Sequence, residues 1–227
     1  MKKIFLLGCL AASLMACKKD APVDKLDVDS NKLTVIAQVN GGATRTSHTA
    51  IDKGLALSWN ESDKIGMYVT VGDEAYVSNA AYKADKGAAK TSFSPVADGI
   101  DWKDGESKHS FYAYYPQSDE AAADHTAVAL SVPAVQTQSK AGNTEHLAAL
   151  DFMYAAKENV VRTSDGSVCL AFEHPLSVLE LTLCATGDKP VTASRIILRS
   201  QTESEVLSAE GAKIDLSTGK MDFEGAK

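Results

Sequence analysis

The chain has 227 residues, a formal net charge of −7, and a composition that is 44% hydrophobic and 23% charged. An acidic balance of this kind argues against a nucleic-acid partner and against electrostatic binding to anionic lipid. The roughly 210 residues that follow the N-terminal segment suit one large all-β domain or two small ones, and can bury about 70% of the surface of the unfolded chain without disulfides or metal.

The first 17 residues, MKKIFLLGCLAASLMAC, have the layout of a secretory signal peptide. Two lysines precede an apolar run that is too short to span a bilayer as a mature helix, and the small residue Ala16 precedes Cys17. The Leu-x-Ala-Cys ending resembles a bacterial lipobox. The resemblance implies cleavage after Ala16, a diacylglycerol on the Cys17 sulfur and acylation of the new N-terminus. An ordinary signal peptide with a chance cysteine is the alternative.

Lipidation would link the protein to the membrane, which the acidic net charge does not favour. Removal of Lys2 and Lys3 with residues 1–16 lowers the net charge by two, to −9. Each buried CH₂ contributes about 0.8 kcal/mol, so several palmitate-like chains hold a protein stably where one chain does not. Residues 17–32 are polar and charged, with one proline. This composition predicts a flexible tether between the lipid and a domain spanning residues 33–227.

From residue 33 onward, apolar and polar residues alternate with the period of a half-buried β-strand. The first such segment is Leu33 to Val39. Further alternating segments include Leu57, Met67, Ala113, Leu130, Leu170, Leu181, Ile196 and Ile214. Turn residues such as Asn40-Gly41 and Asp165-Gly166 separate them. The pattern predicts an all-β fold, an antiparallel β-sandwich.

Local signals predict a few further elements. Asn60 to Asp63 carry turn chemistry, which would return a Trp59 strand into an Ile65 strand as a hairpin. Ser118 to Asp124 and Thr144 to Leu150 are each expected to form a short helix, with Ser118 and Thr144 as N-caps.

Two cysteines remain once Cys9 leaves with the signal peptide and Cys17 is acylated. Cys169 and Cys184 each lie in an apolar alternating stretch. The pattern favours two small buried side chains. A disulfide is the alternative, because an oxidising compartment permits one.

Catalytic and metal-binding motifs are not evident. The five histidines, His48, His109, His125, His146 and His174, show no metal-ligand spacing. There is no G-x-S-x-G elbow and no P-loop. The acidic loop from Asp98 to Glu106 lacks the D-x-D-x-D-G calcium pattern, although an acidic loop could hold calcium. We therefore expect no catalytic residue, no metal and no cofactor.

The aromatic stretch from Phe111 to Pro116 admits two interpretations. Exposed rings could stack on sugars and form a glycan platform. The alternative, which we favour, is a strand with one set of rings in the core and the other packed under a loop.

Several short motifs, in order, resemble those of the fimbrillin-like family of surface lipoproteins. The match runs from about Arg45 to the end of the chain. Its segments are Thr44–Thr46, Leu57–Tyr68, Phe111–Pro116, Pro133–Gln136, Asp151–Ala155 and Phe172–Leu183. The resemblance implies a transthyretin-like Greek-key β-sandwich and a non-enzymatic subunit or accessory component of surface fimbriae at the outer membrane.

In that family, an arginine-specific protease trims some precursors, which makes Arg45 a candidate processing site. A cut after Arg45 would remove the lipidated tether together with the Leu33 to Asn40 strand. The exposed groove could then accept a strand from another fimbrial subunit by β-strand addition. An ordinary loop arginine is the alternative.

Many family members carry a second β-domain whose last strand serves as donor. Here we expect only the first domain, so either the chain is cut short or it cannot donate a strand in the usual way.

The sequence leaves two other functions as alternatives. A non-polymerising surface lipoprotein that binds a host ligand, host surface or glycan is the first alternative. An enzyme whose catalytic residues are scattered among loops is the second.

Overall fold

The structure is a computed structural model that describes residues 31–39, 49–51, 54–56, 58–140, 143–179 and 209–223, with a few positions between 181 and 197. Within these residues there are twelve β-strands, one 3-10 helix and no α-helix. The strands are β1 (Thr34–Val39), β2 (Thr49–Ile51), β3 (Gly54–Ala56), β4 (Lys64–Val71), β5 (Glu74–Ala84), β6 (Lys90–Pro95), β7 (His109–Tyr115), β8 (Val128–Val132), β9 (Met153–Val160), β10 (Ser167–Phe172), β11 (Ala209–Asp215) and β12 (Lys220–Asp222). The 3-10 helix is Glu145–Leu150. The all-β prediction is confirmed.

In the described part of the chain the strands form one seven-stranded sheet, one three-stranded sheet and one hairpin. The large sheet has the order β10-β1-β6-β5-β4-β7-β9, the small sheet has the order β12-β11-β8, and β2 pairs with β3. The pairing of β1 with β10 is parallel, whereas β1 and β6 are antiparallel. A purely antiparallel sandwich is therefore wrong at β1. Its two neighbours run in opposite directions, so β1 can be antiparallel to only one of them.

The large sheet curls into a barrel-like layer. Its two edge strands, β9 and β10, meet where Tyr154 and Glu173 exchange backbone hydrogen bonds of 3.0 and 2.8 Å. The inner face carries buried apolar residues from every strand of the sheet. They include Val35, Ala37, Ile65, Met67, Tyr82, Phe93, Phe111, Met153, Leu170 and Phe172. Burial of this continuous interior is the main apolar contribution to the fold.

The small sheet covers part of the outer face of the large sheet, which gives a sandwich-like second layer. Tyr68 on β4 and Tyr112 and Tyr114 on β7 contribute one side of this second core. The other side comes from Val128, Leu130, Ala212, Ile214 and Leu216. Strands β4 and β7 are therefore buried on both faces, which explains their nearly continuous burial.

Two local predictions are wrong. Asn60 and Asp63 do form the predicted turn, with Asp63 N–H donating to the Asn60 carbonyl at 3.1 Å. However, β3 pairs with β2 and β4 pairs with β5 and β7, so no Trp59–Ile65 hairpin exists. The Trp59 N–H instead donates to the Ala88 carbonyl at 3.0 Å, and its indole is buried in the barrel core. Residues 118–124 form turns, not a helix.

Other predictions are confirmed only in part. The 3-10 helix follows Thr144 as expected, without a capping hydrogen bond from its side chain. Leu179, Leu181 and Ile196 lie outside any strand and are 63%, 47% and 51% exposed. Leu183 and Leu198, in the same two predicted segments, lie outside the described residues. Leu57 also lies outside them, next to β3.

Candidate interaction site at the first strand

Strand β1 lies in the interior of the large sheet and uses both of its backbone edges. Val35 is opposite Val168 of β10 on one side and Phe93 of β6 on the other. Ala37 is likewise opposite Leu170 and Thr91. We call the space between β6 and β10 that β1 fills the β1 slot. Both walls of this slot present backbone groups that β1 satisfies.

The side chains of β1 follow the alternation of its sequence. Leu33, which directly precedes β1, and Val35 and Ala37 within it are 6%, 0% and 0% exposed and belong to the barrel core. Thr34, Ile36 and Gln38 point to the other face and are half-buried. The strand is therefore held by apolar burial on one face and by hydrogen bonds along both edges.

A second set of backbone bonds holds the beginning of β1. The Leu33 N–H donates to the Ile100 carbonyl at 2.8 Å, and the Trp102 N–H donates to the Asn31 carbonyl at 2.9 Å. The Ile100 N–H donates in turn to the Tyr82 hydroxyl at 2.8 Å. Burial raises the pKa of Tyr82, so this hydroxyl stays neutral. We call these contacts of residues 31–33 with residues 100–102 the entry clamp.

An ion pair lies beside the entry clamp. Lys32 Nζ is 3.0 Å from Asp101 Oδ2, and both side chains are 43% exposed. Because exposed pairs of this kind typically contribute only 0–1 kcal/mol, the apolar burial of Leu33 outweighs the ion pair.

Trp102 anchors the clamp to the rest of the fold. Its indole Nε1 donates to the Gly166 carbonyl at 3.0 Å, and its ring meets the rings of His109 and Phe111 edge-on at 4.9 and 5.4 Å. His109 Nε2 accepts from the Lys103 N–H at 3.1 Å, so its proton lies on Nδ1, 3.0 Å from the Ser107 carbonyl. Both ring nitrogens of His109 therefore form hydrogen bonds within the fold.

Trp59 fills the barrel interior beneath the β1 slot. Its indole, fully buried, makes edge-on contacts with Phe93 and Phe172 at centroid distances of 5.1 Å each, and with Tyr115 at 5.6 Å. These rings come from β6, β10 and β7. Trp59 therefore joins both walls of the slot to the opposite side of the barrel.

The predicted site residues Ala16, Cys17 and Arg45 lie outside the described residues. The structure describes β1 to Val39 and resumes at Thr49. The residues of the clamp and Trp59 were not singled out as functional from sequence. Residues 99–102 have no strand periodicity, and the alternation at Leu33–Val39 together with the Arg45 processing hypothesis pointed to this region.

In the acidic loop from Asp98 to Glu106, two carboxylates are used in contacts within the fold. Asp101 pairs with Lys32, and Asp104 accepts hydrogen bonds from the Ser107 hydroxyl and from the N–H groups of Ser107 and Glu106. The Ser107 hydroxyl and these N–H groups lower the pKa of Asp104 to about 2. Among the described residues, no three carboxylate, histidine or cysteine side chains come together as metal ligands.

Two further histidines make ring or polar contacts. His125 stacks on the Tyr112 ring at 3.9 Å, with an angle of 5° between the planes. His174 Nε2 lies 2.8 Å from the buried Asp151 Oδ1.

The aromatic stretch on β7 is not a glycan platform. Phe111 and Tyr115 face the barrel interior, whereas Tyr112 and Tyr114 face the small sheet, and all four are at most 8% exposed. The Tyr114 hydroxyl also donates to the Asn79 side chain at 2.8 Å. The prediction of rings packed on both faces is confirmed, but the second set packs against the small sheet and not under a loop.

No disulfide joins Cys169 and Cys184 in the described part of the chain. Cys169 is half-buried on β10, and Cys184 is exposed, so the expected burial fails for Cys184. The described residues also contain no helix with the length and hydropathy of a membrane span.

Residues 44–226 match the family model for fimbrillin-like proteins. A candidate fimbrium subunit of Bacteroides uniformis, Fim1C, is 30% identical over 192 residues, which is 82% of this chain and 57% of that protein. The crystal structure of a candidate cell adhesion protein from Bacteroides uniformis has 23% identity and a TM-score of 0.43, covering 63% of this chain and 47% of that one. One from Bacteroides ovatus has 20% identity and a TM-score of 0.42, covering 64% and 52%. The chain thus spans about half the length of these proteins.

Proposed function

This chain belongs to the fimbrillin-like family, and from that premise we propose that it is a lipid-anchored fimbrial subunit or fimbria-associated adhesion protein of the cell surface. It works by strand exchange with other fimbrial subunits. It is not an enzyme, and its membrane link is the acylated Cys17 in the outer membrane.

The observation that supports strand exchange is the position of β1 in the sheet. β1 is an interior strand, and it precedes Arg45 in the chain. A cut after Arg45 would separate β1 covalently from the rest of the domain, leaving it held only by non-covalent contacts. A terminal strand removed from an edge would leave a sheet intact, but removal of β1 would open the sheet between β6 and β10.

The energetics favour refilling of an opened slot. Loss of β1 would expose the backbone groups of β6 and β10 that now pair with it. It would also uncover the apolar interior that Leu33, Val35 and Ala37 cover. Unpaired strand edges beside an apolar groove are templates for strand addition. A strand from another subunit would restore both kinds of contact.

Proteolysis with mass spectrometry tests this proposal. An arginine-specific protease is expected to release the segment ending at Arg45, including Lys32–Val39, and the trimmed protein is expected to form SDS-resistant ladders as its concentration rises. An Arg45→Gln variant should keep β1 and stay monomeric, whereas Arg162→Gln, changed between β9 and β10, should behave like the parent. A trimmed protein that keeps β1 and remains monomeric would contradict strand exchange. Defined hits on a glycan array by such a monomer would favour the non-polymerising alternative.

The lipid anchor needs a separate test. Cells fed a tagged palmitate should label the protein, and Cys17→Ala should abolish the label and release the protein from the envelope. Cys9→Ala, within the same signal segment, is the matched control and should leave labelling unchanged. Retention of unlabelled Cys17→Ala protein at the envelope would contradict the anchor.

A further inference from the structure

The walls of the β1 slot carry side chains of different size along its length. At the level of Val35 its walls carry Phe93 of β6 and Val168 of β10. At the level of Ala37 they carry Thr91 and Leu170, and at the level of Val39 the β10 wall carries Phe172. Aromatic rings therefore flank the slot on either side of the Ala37 level.

Trp59 spans those two aromatic levels. Its indole contacts Phe93 and Phe172 at the same centroid distance of 5.1 Å. Because Phe93 stands beside Val35 and Phe172 beside Val39, the indole lies across the intermediate level, that of Ala37. Trp59 and Ala37 are both fully buried in the same core. Since protein interiors are close-packed, the space between the slot and the indole at this level admits only a small side chain.

The slot also defines a direction. A strand that reproduces the pairing of β1 runs parallel to β10 and antiparallel to β6. The small residue must then follow two larger aliphatic residues, at the levels of Leu33 and Val35, and precede one at the level of Val39. The same strand inserted in reverse would place a large side chain against Trp59 in this register.

We propose that Trp59 makes the β1 slot selective for a strand of another subunit with the pattern aliphatic-x-aliphatic-x-alanine-x-aliphatic, read parallel to β10. The proposal rests on the proposed function, because it names the partner strand that the emptied slot accepts. Trp59 is its specificity-determining residue. It acts by excluding side chains larger than a methyl group at the third apolar position.

Peptides test the selection directly. The trimmed protein, freed of β1, is titrated with an eight-residue peptide of the Lys32–Val39 sequence, KLTVIAQV, and with the same peptide carrying leucine in place of alanine. A third peptide, with valine in place of the threonine on the opposite face, is the control. Binding is followed by tryptophan fluorescence, since Trp59 and Trp102 both adjoin the slot. We expect the leucine peptide to bind at least tenfold more weakly and the valine peptide to bind like the parent.

A variant cycle in the full chain tests the role of Trp59 without any exchange. Ala37→Leu should lower the urea midpoint of unfolding, whereas Ala75→Leu, at an exposed position on β5, should not. Trp59→Phe replaces the indole with a smaller ring. In that background, Ala37→Leu should lower the urea midpoint of unfolding by less than it does in the parent. Additive effects of the two changes would overturn the role of Trp59. If Ala37→Leu does not fold, the peptide titration still decides.

The outcomes separate the two proposals. Equal binding of the alanine and leucine peptides would overturn the selection and leave strand exchange standing. Failure of every peptide to bind the trimmed protein would overturn strand exchange itself, and the selection with it.

Discussion

The ring of Tyr114 on β7 lies against the α-carbon of Gly66 on β4, so that a Cβ at position 66 would stand 2.2 Å from Tyr114 Cε1. The two residues are register partners in the large sheet. Tyr114 is held in place by the Asn79 side chain at 2.8 Å and by the Ser118 backbone. Absence of a side chain at position 66 is what lets the ring pack flat on β4.

Gly66→Ala is therefore expected to destabilise the protein by about 1–3 kcal/mol, the usual cost of overpacking a closed core. The tyrosine ring cannot retreat without breaking its hydrogen bonds. Urea unfolding measures the effect. Gly105→Ala is the matched control, because a Cβ there meets nothing within 4 Å. Equal stability of the two variants would contradict the close approach of Tyr114.

Removal of the buried carboxylate beside His174 should also destabilise the fold. Asp151 Oδ1 and His174 Nε2 are 2.8 Å apart, and only 5% and 16% of their side chains are exposed. Asp151→Asn is expected to lower the free energy of unfolding by roughly 1–3 kcal/mol, because it weakens a buried polar contact. A double-mutant cycle with His174→Gln should give a coupling energy, and strict additivity would show that the contact contributes nothing.

The Ser107 hydroxyl should control the titration of Asp104. Its hydrogen bond and two backbone N–H groups lower the pKa of Asp104 from 3.8 to about 2. A carboxyl group whose pKa is lower in the folded state stabilises the fold above pH 3.8, and this contribution disappears as the pH falls toward 2. Ser107→Ala should raise the Asp104 pKa toward its ordinary value, as followed by NMR titration. Ser94→Ala, an exposed serine on β6, should leave it unchanged.

Burial should matter more than charge for holding β1. Lys32→Met removes an ion pair whose members are both 43% exposed, so we expect a loss of at most about 1 kcal/mol that shrinks in high salt. Leu33→Ala removes a side chain that is 6% exposed, so we expect a loss of about 2–5 kcal/mol that salt does not diminish. Denaturant unfolding at low and high salt compares the two variants. A larger effect of Lys32→Met would reverse this ranking.

Strong period-two alternation was enough to locate several strands from sequence. The segments around Val35, Met67, Ala113 and Leu170 became β1, β4, β7 and β10. Strands β5, β6 and β9 were missed. Residues 74–79 at the start of β5 are exposed or half-buried, β6 carries one large buried apolar residue, Phe93, and residues 156–159 of β9 are exposed. Such strands are stabilised by their neighbours, so their own sequences contain little periodicity.

The sequence by itself determined which residues of β1 face the core, because alternation along a strand is a local property of the backbone. It also determined the signal-like N-terminus and the order of motifs on which the family resemblance depended. Only the tertiary structure decided that β1 lies between β6 and β10, antiparallel to β6 and parallel to β10, and that Trp59 packs against Phe93, Phe172 and Tyr115 inside the barrel. Strand partners and interior packing depend on residues far apart in the chain, and no local pattern encodes which of them meet.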